Sequence, residues 1–161
     1  MSCRIVIDGA SPRPAGMTRR ELARAAAFFA EMSASRSGLA FQEVTVVLQG
    51  DAASAEVHLA VNGAEGPTDV VTQRYDPMPG DAPGVYGELY VNVERAVAAA
   101  PRRTGWSVAK ELLLYVAHGM DHLSGEDDLS SRGYAAMRRR ELGWIRRLSA
   151  AAAYRRLRYS T

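Results

Sequence analysis

Two histidines stand four residues apart in the segment HGMDHLSGEDD, residues 118–128. On an α-helix that spacing puts both rings on one face, one turn apart, as a shared metal ion requires. The preceding run LLLYVA, residues 112–117, is apolar and marks a buried helix. Imidazoles at the end of such a helix need polar partners or a metal. Gly125 follows three residues after His122 and lets the chain turn back. One of Glu126, Asp127 and Asp128 can then reach the same ion. Two histidines and one carboxylate with an open fourth position make a hydrolytic zinc geometry. The competing reading is a pair of helix histidines satisfied by backbone or acids. A closed structural zinc site fits less well, because such sites draw on several cysteines and this chain has one, Cys3. The same donors also accept Fe²⁺ or Ni²⁺.

The glutamate of an HExxH motif is missing, since Gly119 holds its position. The nearest candidate bases are Glu111, Asp121 and Glu126. Glu111 lies seven residues before His118 and shares its helix face, where it could act as a base or orient a ligand. Asp121 points about 100° away from His122 around the helix.

The elements that must position these groups follow from pattern and punctuation. CRIVIDG reads as a first strand. A helix over 19–34 follows, with Thr18 and Glu21 as a capping box. FQEVTVVLQ, residues 41–49, is a β-branched strand. Asp51 is placed to cap a short helix, and NGAEGPTD is loop. VVTQRYD and VYGELYVNVE are the third and fourth strands, separated by the Pro-Gly loop PMPGDAPG. A short helix over ERAVAAA ends at Pro101. The histidine-bearing helix begins near Thr104 or Ser107, and a basic last helix covers 130–157. The order β-α-β-α-β-β-α-α-α predicts a single α+β domain over residues 1–161, with a small mixed four-stranded sheet packed by about five helices.

Composition narrows the setting. The chain is 47% hydrophobic, enough for a core, and no apolar run approaches the roughly 20 residues that span a bilayer. The start, MSCRIVIDGASPRP, has no apolar stretch of signal-peptide length, which predicts a soluble cytoplasmic protein. Net charge is +2, yet residues 129–161 hold nine arginines against one acid, Glu141. Such a tail can attract phosphate backbones or simply be a solvated helix face. His58, Trp106 and Trp144 read as core or loop-packing residues, and Tyr75 is a weaker stacking candidate.

HGMDHLSGEDD resembles the signature HGxLHLxGxDH of the YbeY family of metal-dependent ribosomal-RNA maturation endoribonucleases. The likeness keeps His118, Gly119, His122, Leu123, Gly125 and Asp127 in place. It extends to GPTDVV, to GELYVNVERAVAAA, to Glu111 and to the M-x-x-x-E spacing of Met137 and Glu141, covering about residues 41–145. The resemblance implies an endoribonuclease for single-stranded RNA. It implies one Zn²⁺ held by His118, His122 and Asp128, and ribosomal RNA or the small ribosomal subunit as partner. Asp127 is expected beside the ligands as an outer partner. Two features depart from the pattern. Asp128 stands where the family has a third histidine. Its charge should make a bound water less acidic and move the optimum to higher pH. The loop after Asn62 is short and lacks the family's arginine, a loss Arg74 on the next strand could make good. Arg138 and Arg139 are further candidates for phosphate contact. Two other functions stay open: a zinc hydrolase of another substrate, and a ribosome-associated metal-binding protein whose catalysis is lost.

Overall fold

The computed structural model describes residues 2–151 and Tyr154. Its elements run β1 (Arg4–Gly9), α1 (Arg19–Ser37), β2 (Phe41–Gln49), α2 (Asp51–Asn62), β3 (Val70–Tyr75), β4 (Val85–Asn92), α3 (Val93–Ala99), α4 (Val108–Leu123) and α5 (Ser131–Ala150), with two short 3-10 turns. This is the expected α+β order. The sheet runs β1-β2-β4-β3, with β1, β2 and β4 parallel and β3 antiparallel at the edge. Its core face is built from Val44, Val46 and Leu48 of β2 beside Val85, Leu89 and Val91 of β4, all buried.

Local chemistry sets the helices. Thr18 caps α1 through a capping box with Glu21, and Gly38 ends it in the left-handed conformation. The buried residues of α1, Leu22, Ala25, Ala26, Phe29, Ala30 and Ser33, form one stripe at helical spacing. Ser107 caps α4 through Lys110 N–H, so Thr104 lies outside the helix. Ser130 caps α5 in the same way through Gly133 N–H. No helix among the described residues is long and apolar enough to cross a membrane.

α4 is the hub. Twelve of its sixteen residues are buried, and it touches α1, α3, α5, β3 and β4. Its close seat on the sheet depends on missing side chains. A Cβ at Gly119 would meet Leu89 at 2.8 Å, and one at Gly87 would meet Leu123 at 2.6 Å. Gly119 therefore sets how near the histidine turn lies to β4, which gives a packing reason for glycine after His118.

Two boundary expectations change. Gly50, not Asp51, is the N-cap of α2, and the Asp51 carboxylate instead accepts from Asn92 Nδ2 at 2.7 Å. α3 ends at Ala99, just before Pro101, which sits in the first turn of a 3-10 segment where its missing N–H costs nothing. The last helix ends at Ala150, and of the expected extension to 157, residues 152–153 and 155–157 lie outside the described residues. Trp144 stacks on Phe29 in the core at 6.4 Å between ring centroids. His58 closes the short loop by a 2.8 Å hydrogen bond to the Gly66 carbonyl.

Candidate metal centre

His118 and His122 occupy the last two turns of α4, where the apolar stripe of the helix gives way to the surface. Ser124 then closes the helix, its hydroxyl donating to the Asp121 carbonyl at 2.6 Å. Gly125 takes φ +96°, a conformation side-chain-bearing residues rarely adopt, and turns the chain back over the helix end. Asp128 is carried round to the histidines by that reversal.

Three atoms converge there. His118 Nε2 and His122 Nε2 lie 3.0 Å apart, and Asp128 Oδ2 is 3.3 Å from the first and 3.8 Å from the second. A tetrahedral zinc ion with bonds of about 2.0–2.1 Å implies ligand atoms about 3.3 Å apart. The observed edges bracket that value. Among the described residues this is the one group of three or more donors able to hold a metal ion.

The other ring nitrogens are committed outward. His122 Nδ1 donates to the Glu126 carbonyl at 3.0 Å, and a carbonyl can only accept. His118 Nδ1 donates to the fully buried Glu141 carboxylate at 2.6 Å. Both neutral rings therefore point Nε2 lone pairs at each other across 3.0 Å. Two lone pairs at that distance repel unless a cation stands between them. The donor set thus fits a metal ion, or a proton in its absence. Burial pushes the His118 pKa down, but the hydrogen bond and charge of Glu141 outweigh it and hold the ring above the ordinary histidine value. The second Glu141 oxygen faces Arg138 Nη1 at 3.7 Å.

A charge cluster fixes the loop from behind. Asp121, fully buried, takes three hydrogen bonds from Arg140 at 2.8, 3.1 and 3.2 Å and faces Arg36 of α1 at 3.6 Å. Burial still raises the Asp121 pKa against the pull of Arg140. Arg36 also reaches Glu126 at 2.7 Å and Ser124 Oγ at 2.6 Å. Glu126, whose carbonyl orients His122, is thereby tied to α1.

Not every candidate joins this group. Asp127 is exposed, and its carboxylate accepts from Leu129 N–H at 3.3 Å rather than orienting a ligand. Glu111 lies two turns up α4, about 10 Å along the axis. It accepts from Trp106 Nε1 at 2.7 Å and faces Arg103 at 3.7 Å. Arg74 donates to the Leu123 carbonyl at 3.1 Å, capping the end of α4. Arg138 is the arginine that lines the cleft over the three ligand atoms, together with Thr68, Asp69, Tyr115 and Tyr134. Sequence reasoning missed Asp69 and Tyr134 as cleft residues. It noted Glu141 only by spacing, although an acid one helix turn past Met137 on a helix after a histidine pair was the available signal.

The molecule is thus an α+β domain whose central buried helix ends in two histidines that converge with an aspartate on a point able to hold a metal. Residues 15–149 match the sequence profile of Endoribonuclease YbeY, and the chain belongs to that family. It is similar to the Endoribonuclease YbeY of Rhodopirellula baltica, 37% identical over 77% of this chain and 61% of the relative. It is similar also to that of Roseiflexus sp., 36% identical over 66% and 70%. The Thermus thermophilus enzyme is 29% identical over 78% and 87%. The chain thus spans less than two thirds of the length of the Rhodopirellula relative. A solution structure of a Thermotoga maritima protein shares the fold, with TM-score 0.57 over 90% of this chain and 89% of that one at 24% identity.

Proposed function

We propose that this chain is a zinc-dependent endoribonuclease that cuts single-stranded RNA in ribosomal-RNA maturation and ribosome quality control, at the small ribosomal subunit. The carrying observation is the convergence of His118 Nε2, His122 Nε2 and Asp128 Oδ2 while both Nδ1 atoms are held outward. Membership of a family named for this activity supports the reading. When bound, zinc would supply a Lewis acid that makes a water more acidic and offsets charge on a phosphoryl oxygen.

The chain's own residues do the rest. Glu141 and the Glu126 carbonyl lock each imidazole in the tautomer that offers Nε2. Asp128 completes the set and lowers its positive charge. Arg138, with its guanidinium partly exposed at the cleft, supplies the cation for a phosphate. Glu111 and Asp127 have no part in this scheme. Glu111 holds the Trp106 corner, and Asp127 shapes the loop.

The absence of an arginine from residues 63–66 favours a second reading, a ribosome-associated metal-binding protein without cleavage. Purified protein incubated with ribosomal RNA, with and without chelator and beside Asp128→Ala, separates the two. Chelator-sensitive cleavage lost in the variant is expected. RNA left intact by the zinc-loaded protein would leave the binding reading standing.

A further inference from the structure

The cleft over the three ligand atoms has one wall from Thr68, Asp69 and Val70 at the edge strand β3 and another from Tyr134 and Arg138 of α5. Its volume is about 280 Å³, at the small end of ligand clefts. Tyr134 is 46% exposed, a large aromatic ring left in solvent beside three half-buried polar groups. Arg138, one turn on, lies against that ring at 5.4 Å from its centroid and donates to its hydroxyl at 3.2 Å. The same guanidinium faces Glu141 at 3.7 Å, so it is anchored to the residue that orients His118. A tyrosine and an arginine four residues apart stabilise a helix surface anywhere. What a surface pair does not explain is that both line the cleft of the candidate ligands, where Arg138 is the only arginine or lysine among the described residues.

We propose that Tyr134 and Arg138 form a nucleotide subsite next to the metal group, with an unpaired base lying on the Tyr134 ring and its phosphate on Arg138. The proposal rests on the endoribonuclease reading and adds the means by which single strands are chosen. A base can lie on an aromatic ring only when it is out of its own stack, which a paired strand does not allow. The ring is pre-set by the arginine, so little side-chain freedom is lost on binding. The short loop at residues 63–66 carries no arginine, and this pair brings a cation to the cleft from the opposite wall.

The test is binding of a fluorescein-labelled single-stranded RNA oligonucleotide to the full chain in chelator, read by anisotropy, beside the same sequence as a duplex. Tyr134→Ala should weaken the single strand roughly 5- to 150-fold, the range for loss of one stacked base. It should leave zinc retention and the duplex unchanged. Tyr134→Phe should bind within about two-fold of the wild type, because stacking needs the ring and not the hydroxyl. Arg138→Ala should flatten the dependence of log affinity on log salt by about 0.7, one phosphate on a single strand. Wild-type affinity in Tyr134→Ala, or a loss in Tyr134→Phe as large as in Tyr134→Ala, overturns the subsite. So does a wild-type chain that binds no oligonucleotide. Tyr134-dependent binding without cleavage when zinc is restored upholds the subsite and removes the endoribonuclease reading.

Discussion

The two ends of α4 hold similar residue types and do opposite things with them. At its N-terminal end Glu111 meets Trp106, Arg103 and a cleft that also holds Arg95 and Arg102. At its C-terminal end His118 and His122 meet Asp128, Glu141 and Arg138. In the first cluster the acid's carboxylate is answered by an indole N–H and a guanidinium, so the charges cancel inside the protein. In the second, each imidazole is satisfied on one nitrogen only, and the other nitrogens face each other with a carboxylate. Clustering of reactive types is common to both. Convergence of unanswered lone pairs belongs to one, and it is the better guide to a metal.

The largest break in this comparison comes from the ligands themselves. His118→Ala/His122→Ala should abolish zinc retention, read by metal analysis after dialysis, and full retention would overturn the ligand assignment. Glu141→Gln should come next, lowering zinc affinity about 10- to 100-fold in a chelator competition, the usual cost of losing an outer partner. Glu111→Gln should leave that affinity within about two-fold. It should weaken the fold by about 1 kcal/mol and shift Trp106 emission, because its indole partner changes. Equal effects of the two glutamate changes on zinc would erase the distinction between the ends.

A pH series sharpens the contrast in the metal-free protein. His118 has a folded pKa above its unfolded value, so its pairing with Glu141 stabilises fully below the unfolded value, near pH 6.5. That contribution is lost as pH rises through the folded value. Melting temperature in chelator should therefore fall across that window. With zinc the trend should reverse, since metal binding needs unprotonated rings. A smaller loss than that of Glu141→Gln is expected at Arg36. Removing its guanidinium should cost about 10-fold in zinc affinity, at the low end for an outer residue, because Arg140 still holds Asp121.

Much of this is legible in the sequence. The spacing of His118 and His122, the turn at Gly125 and the caps at Thr18 and Ser107 are local signals, set by neighbours within four residues. The element order follows from the same short-range chemistry. The family pattern pointed to Asp128, whose carboxylate lies 3.3 Å from His118 Nε2. What sequence could not supply was the answer to long-range pairing. Glu141 meets His118 across 23 residues and Arg36 meets Glu126 across 90. Arg74 is on the strand the pattern suggested, yet its guanidinium went to the Leu123 carbonyl because a helix end nearby had an open acceptor. Tyr134 gave no sign at all, since an exposed tyrosine early in a basic helix looks like any other.

The Arg36 tether also bears on time. The candidate ligand atoms come from residues 118–128, a stretch short enough to close as soon as α4 has left the ribosome. Only one of their fixings comes from there, the Glu126 carbonyl on His122; Arg36, which ties Glu126 down, waits in α1, made long before, and Glu141 arrives later with α5. Synthesis runs from the N-terminus, so α1 precedes α4 and α5 follows it. A growing chain of this protein would therefore pass through a stage in which both imidazoles are present, Arg36 is ready, and His118 is still free to turn. His118 takes its final orientation only when Glu141 docks, which waits until α5 has been made.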